Sequence, residues 1–329
     1  MNSSRFEEIT SRYSGLRIAV VGDYSCDRYL EIDPNKEEIS IETGLPVHNV
    51  TRVRAQPGAS GTVLNNLAAL GVGELWPVGF CGCDGEGFEL YRTLKQTAGV
   101  RMKYFFESEE QRTFTYCKPL VMHPDRPPEE LSRLDSKNWA PTPSMLRKQL
   151  ANAVRTLASQ VDAIIVLDQV DEPETGVVTP TLLEAVDEVR GELLIIGDSR
   201  RGLKDWPSVI YKMNTAELAQ LTGSADDPKT AAAKLTQSTG QPVIITQAEN
   251  GITAANPGGE VVQSASLPTY GQIDIVGAGD AVMANVTCAL AAMASLAETI
   301  DLANLAASVV IHKLGTTGTA SVEEMRDLL

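Results

Sequence analysis

What most constrains this chain is its rhythm. Short runs rich in β-branched residues alternate with longer helical patterns, and the runs end in Gly- or Asp-bearing turns. The first clear run, Arg17-Ile18-Ala19-Val20-Val21, closes on Gly22-Asp23. It is almost wholly apolar, as a strand covered on both faces must be. Comparable strands are read at 75–80, 163–167, 193–196, 209–213 and 243–246. Helical patterns are read at 62–70, from 87 to about 98, up to 189, at 218–221, 278–294 and 298–314. The alternation predicts an α/β fold, a mostly parallel sheet covered by helices. A hairpin is read between 252 and 262. Two segments break the rhythm: 27–54, with scattered β-branched residues and two prolines, and 101–120. Together they read as a small β lid. Residues 123–143 are proline-rich and charged, and read as a surface excursion.

Composition narrows the partners. The 329 residues suffice for two ordinary domains or one large α/β unit, and the reading here is a single domain over 1–329. No run approaches the ~18 apolar residues of a membrane span, and the polar, acidic start is no secretory signal. The net charge of −15 repels nucleic-acid phosphate and anionic lipid, so neither nucleic acid nor membrane is expected as a partner. Five cysteines, an odd number in a long chain, suit a reducing, cytoplasmic setting. The three histidines have no metal-protease spacing.

The sharpest chemical signal is Asp274-Ile275-Val276-Gly277-Ala278-Gly279-Asp280, followed at once by a helix. Two glycines around an alanine permit a tight turn, and free N–H groups at a helix start attract an anion. Asp280 falls in the first turn of that helix. A carboxylate beside an anion site makes sense where a hydroxyl is deprotonated next to a phosphoryl group; an ordinary acidic first-turn residue is the plainer alternative. Arg200 and Arg201 follow Asp198 at a strand's C-terminal end, where open sheets bind ligands, so they are placed to meet a phosphate. Cys81-x-Cys83 lacks a second ligand pair for zinc.

Seven motifs in order carry a family resemblance: VVGDYSCDRY, PGASGTVLNNLAALG, VGFCGCDGEG, MNTAEL, ITQAENG, DIVGAGD and LGTTG. The chain resembles the ribokinase-like (PfkB) carbohydrate kinases. It is most similar to those that phosphorylate heptose 7-phosphate at the anomeric carbon, through Gly22-Asp23, Asp27-Arg28-Tyr29, Arg133 with Asp135, and Lys313-Leu314-Gly315-Thr316. The resemblance implies a three-layer αβα sandwich with a β lid and an ATP-dependent sugar kinase. It implies that Asp280 is the catalytic base and that Gly277, Ala278 and Gly279 form the anion hole. Asn214 and Glu217 match an N-x-x-E element that orders Mg²⁺ through water. Thr246, Gly251 and Asn304 match the nucleotide side, where Arg200 is also placed. Asp23, Asp27, Gly58, Ala59 and Asp168 match the sugar side. The implied cofactors are ATP and Mg²⁺, with a monovalent cation left open.

Departures accompany the match. Ala59 and Thr62 replace a Gly and an Asn of the family's first turn, Val276 replaces a Thr, and Ala248 a common Gly. Readings therefore remain open for another acceptor (fructose, ribose or a nucleoside) and for a catalytically silent homologue. The lid is expected to exclude water during transfer and, through its exposed edges, to pair two copies as a homodimer. The chain ends soon after the kinase-like region, so a fused nucleotidyltransferase domain, present in some heptose kinases, is not expected.

Overall fold

The computed structural model describes residues 1–223, 227–315 and 317–329; Thr316 of the closing motif lies outside them. The strands are β1 (Arg17–Gly22), β2 (Tyr24–Ile32), β3 (Glu38–Ile39), β4 (Pro46–Val47), β5 (Val50–Ala59), β6 (Glu74–Gly82), β7 (Phe105–Ser108), β8 (Phe114–Val121), β9 (Glu129–Glu130), β10 (Leu134–Ser136), β11 (Ala163–Asp168), β12 (Leu194–Ser199), β13 (Ile210–Asn214), β14 (Val243–Thr246), β15 (Ile252–Ala255) and β16 (Val261–Ser264). The helices are α1 (Ser3–Thr10), α2 (Ser60–Ala69), α3 (Gly85–Gln96), α4 (Ser144–Leu157), α5 (Pro180–Val189), α6 (Thr215–Thr222), α7 (Pro228–Thr239), α8 (Ala278–Ala291), α9 (Leu296–Ile311) and α10 (Val322–Arg326).

Among the described residues, nine strands form one sheet in the order β16-β15-β14-β13-β12-β11-β1-β6-β7. From β14 to β7 every pairing is parallel, and only β15 and β16 turn back. The two-residue period of the strands builds the layers. Ile18, Val20, Ile165 and Leu167 face one core with Leu64 of α2, Met283 of α8 and Ile300 of α9. Ala19, Val21, Ile164 and Val166 face the other with Leu150 of α4 and Leu182 of α5. Fully burying one such large aliphatic side chain is worth roughly 1.5–3 kcal/mol, so a sheet apolar on both faces is stable only between two helical layers. The three-layer expectation holds.

The lid is a second sheet, ordered β10-β8-β2-β5, with β9 also paired to β8. Two expectations are corrected here. Residues 105–108 leave the lid and pair in parallel with β6 at the edge of the main sheet. There the Phe105 ring packs edge-on to Tyr24 at 5.1 Å and enters the core, so burial decides the strand's place. The excursion at 123–143 contributes β9 and β10 to the lid. Helices α1 and α4, not read from the sequence, bury Phe6 and Ile9, and Leu150 and Val154.

The parallel strands end side by side. Leu167 lies opposite Asp198, Asp168 opposite Ser199, and Asn214 opposite Thr246. The candidate residues Asp168, Asn214 and Thr246 lie along this carboxyl edge, the edge where open α/β sheets bind ligands.

Candidate active site

Helix α8 starts at Gly277, whose φ of +87° is left-handed. A Cβ there would lie 2.8 Å from the Thr317 methyl, so this turn requires glycine on two counts. Of the three anion-hole residues expected, Ala278 already donates its N–H to the Ile275 carbonyl at 3.2 Å. The N–H groups of Gly279 and Asp280, on the first turn, have no intrahelical acceptor by helix geometry.

Asp280 is half-buried. Removal from water is the largest cause that pushes its carboxyl up to about 7, with Asp198 and Asp27 acting the same way and Lys212 and Arg200 opposing. A carboxyl poised near neutrality suits a general base.

Beside it is an ion pair that sequence reasoning missed. Lys212 of β13 donates from Nζ to Asp198 Oδ2 of β12 at 2.6 Å, both side chains being buried. Burial works against the ammonium, but Asp198, Glu217 and Asp280 more than offset it and hold its pKa above the usual value. The signal was present in the sequence: a lysine inside the otherwise apolar run Ile210-Tyr211-Lys212-Met213 is buried only if paired.

Asn214 and Glu217 form a reciprocal cap on α6. The Asn214 Oδ1 accepts from the Ala216 and Glu217 N–H groups at 2.9 Å each, and Glu217 Oε2 accepts from the Asn214 N–H at 2.7 Å. Burial and then Asp198 push the Glu217 carboxyl up. Half-buried Glu217, with the carboxylate of buried Asp198 acting on it, suits a hydrated divalent cation, which magnesium prefers to be. Among the described residues no cluster of three or more His, Cys, Asp or Glu is arranged to hold a bare ion.

On the lid side, β2 and β5 pair antiparallel with Ser25 opposite Gly58 and Asp27 opposite Gln56. Asp27 is buried and accepts from Ser25 Oγ at 3.1 Å. Burial pushes its carboxyl up, and Lys118, Arg133 and Arg200 oppose this. Three cations thus act on Asp27 in a chain of net charge −15. Arg133 also pairs with Asp135 at 2.6 Å and lies over the Tyr116 ring. Ala59 has φ +52° and ψ −122°, a conformation that favours glycine.

Several expected ligand-contacting side chains already have protein partners. Asp23 accepts from the backbone N–H groups of Gln169, Val170 and Val177 at 2.8, 3.3 and 2.7 Å, fixing the loop after β11. Asp168 is gripped by Arg201 Nε and Nη2, each at 3.0 Å, and by Ser199 Oγ at 2.7 Å. Arg201 is thereby a positioning residue. Arg200 is exposed, forms no side-chain hydrogen bond among the described residues, and acts electrostatically on Asp27, Glu217 and Asp280. Asn304, buried, donates its amide to the Ser264 and Ala265 carbonyls at 3.0 and 3.2 Å, anchoring the end of β16. Thr246 Oγ1 reaches the Met213 carbonyl at 3.4 Å, and Gly251 closes the turn between β14 and β15 at φ +83°. A cavity of about 740 Å³ between α5 and the 201–207 loop includes Asp168 and Arg201 but not Asp280, Asp27 or Glu217.

A nine-stranded α/β sandwich with a mixed β lid and a G-A-G-D turn at the sheet's carboxyl edge is a ribokinase-like fold. Its fold matches that of Arabidopsis thaliana ribokinase complexed with ribose and ATP (TM-score 0.68, 19% identity, 95% of this chain and 98% of that one). It also matches Escherichia coli phosphofructokinase-2 in complex with fructose-6-phosphate (TM-score 0.72, 18% identity, 95% and 97%). Residues 196–323 match the pfkB family carbohydrate kinase model, which bears out the resemblance read from the sequence. Curated relatives include the bifunctional protein HldE of Hyphomonas neptunium, 29% identical over 99% of this chain, and that of Trichlorobacter lovleyi, 27% identical over 98%. The chain spans 66% and 65% of their respective lengths.

Proposed function

We propose that this chain is an ATP-dependent sugar kinase that transfers the γ-phosphate to a hydroxyl of a sugar or sugar phosphate. Heptose 7-phosphate, phosphorylated at the anomeric position, is the acceptor we favour. The observation that carries the reading is the Asp280 carboxyl, pushed up to about 7 on the first turn of α8 beside the Gly277–Gly279 turn.

In this reading the sugar lies between the lid and the carboxyl edge of the sheet. Asp27 accepts a sugar hydroxyl, and Gly58 lets backbone and carboxylate approach closely. Asp280 takes the proton of the attacking hydroxyl as its oxygen bonds to the γ-phosphorus. The free N–H groups at the start of α8 stabilise charge on the transferring group. Mg²⁺, held through water near Glu217 and Asn214, neutralises the nucleotide phosphates when bound. Lys118, Arg133 and Arg200 around Asp27 support an acceptor that already carries a phosphate. Similarity to the HldE proteins supports the heptose reading. β5 is a ten-residue lid edge, which supports pairing of two copies through their lids. No helix among the described residues is long and apolar enough to cross a membrane, and the five cysteines are free.

The test is an ATP-coupled screen over free and phosphorylated sugars, heptose 7-phosphate included. Turnover with phosphorylated sugars alone is expected. Turnover confined to free sugars would remove the sugar-phosphate reading, and none with any acceptor would remove the kinase reading.

A further inference from the structure

The cavity between α5 and the 201–207 loop has Asp168 and Arg201 in its wall but none of Asp280, Asp27 and Glu217. Its volume of about 740 Å³ lies within the range of small-molecule pockets, roughly 300–1,000 Å³. The kinase reading gives this space no occupant.

Its walls combine apolar surface with an excess of negative charge. Val178, Leu183 and half-buried Trp206 supply apolar surface. The carboxylates of Asp168, Glu174, Glu184, Asp187 and Asp205 border the space, against two cations, Arg201 and Lys204. Arg201 is already paired with Asp168. From outside the wall, Arg147 reaches Glu174 and Arg190 reaches Asp187, each at 2.8 Å. Even with those two arginines counted, the carboxylates outnumber the cations. Glu184 and Asp205 are exposed and form no ion pair among the described residues.

Thr179 also lines the cavity. It is 1% exposed, and its hydroxyl has no hydrogen-bond partner among the described residues. The residue stands at the N-cap of α5, where a threonine ordinarily accepts from an N–H two or three positions on. No such bond forms here. The helix start has little left to offer an anion either. Pro180 has no N–H, and the Leu182 and Leu183 N–H groups return to the Thr179 carbonyl at 2.9 and 3.0 Å. A buried hydroxyl left unpaired is costly, and an occupant that donates to it would relieve that cost.

From this geometry we infer that the cavity is a binding site for a small organic cation, a protonated amine carried on a compact apolar body. Glu184 and Asp205 draw the cation, the Thr179 hydroxyl accepts one of its N–H groups, and the apolar body packs on Val178, Leu183 and Trp206. The inference goes beyond the kinase reading and does not depend on it.

The test is calorimetric titration of the full chain with phenethylamine, protonated at neutral pH, and with phenethyl alcohol, an uncharged probe of the same shape. The amine is expected to bind with a Kd of about 1 mM or tighter, the scale open to a ligand this small, and the alcohol at least about tenfold more weakly. Saturating ADP with Mg²⁺ should leave the amine's affinity unchanged, because Asp280 and Glu217 lie outside the cavity wall. Thr179→Val keeps the side chain's shape and removes its hydroxyl. The amine's affinity should then fall about tenfold, the worth of one hydrogen bond to a charged group, while the urea midpoint holds or rises. Glu184→Gln combined with Asp205→Asn should weaken the amine at least about tenfold and leave the alcohol unaffected. Both side chains are exposed, and asparagine tolerates the φ of +62° at position 205, so this double variant keeps the fold. Weaker amine binding in the wild type, equal affinity for the two probes, or displacement by ADP would overturn the inference. So would wild-type amine affinity in either variant, or a lowered urea midpoint in Thr179→Val, which would make the hydroxyl structural. Should Thr179→Val not fold, the double variant decides. Absence of sugar turnover would count against the kinase reading alone, since none of these titrations requires it.

Discussion

The Asp27 carboxylate lies directly against Gly58 on the neighbouring lid strand: a Cβ at position 58 would overlap both Asp27 Oδ1 and the Ser25 hydroxyl. Gly58 does not have a positive φ, so alanine meets no backbone barrier there and acts only by displacing that carboxylate. Gly58→Ala is therefore expected to raise KM for the sugar at least about tenfold, equivalent to ~1.4 kcal/mol, while ADP affinity is unchanged. Steady-state kinetics with nucleotide calorimetry checks this, and an unaltered KM would separate Asp27 from sugar binding.

Ala59 and Ala248 stand where related kinases commonly have glycine, and both have positive φ, 52° and 49°. An L-residue held there stores strain of order 1–3 kcal/mol, of which glycine's greater chain entropy cancels a part. Ala59→Gly is expected to stabilise the fold by about 1 kcal/mol, read as a higher urea midpoint at unchanged slope. A lower midpoint would mean that contacts of the Ala59 methyl outweigh the strain.

The two adjacent arginines should part company. Arg201→Ala removes the bidentate partner of an Asp168 that is 1% exposed, and stranding a buried carboxylate costs about 3 kcal/mol or more. Arg200→Ala, exposed and without such a partner, should leave the urea midpoint within about 0.5 kcal/mol of wild type. It should instead raise KM for a phosphorylated sugar. Equal destabilisation by both variants would show that Arg200 is structural.

Asp280 links function to stability with a definite sign. Its carboxyl titrates at about 7 in the folded chain, against about 3.9 when unfolded. Folding therefore favours the protonated form. The stability this contributes is complete below the unfolded value and is lost as pH rises through about 7. Asp280→Asn escapes that loss. Its melting temperature relative to wild type should increase from pH 5 to pH 8, and a difference that shrinks over that range would refute the shift.

Much of this was legible before any coordinates. The strand–helix alternation implied the parallel sheet, and the G-A-G-D turn marked the start of α8, because both signals are local. Non-local facts were hidden. Residues 105–108 read as lid until the burial of Phe105 placed them beside β6, and the prolines around 127 obscured the short pairings that join the lid to 129–136. In the site, motif matching named candidate residues but not their contacts: Asp23, Asp168 and Asn304 are bound up in positioning loops and strands. Lys212 and Asp198 lie fourteen residues apart, and only the register of neighbouring strands brings them together.

The central claim is that Asp280 accepts the proton of the attacking hydroxyl, and the direct measurement is sugar-dependent ATP consumption by Asp280→Asn beside wild type across pH. The wild-type kcat/KM for the sugar, which reports groups of the enzyme before the sugar binds, is expected to rise with pH through an inflection near 7. The variant should bind ADP normally but turn over at least about 100-fold more slowly, with that inflection gone. A variant that keeps near-normal turnover and the same inflection would contradict the account.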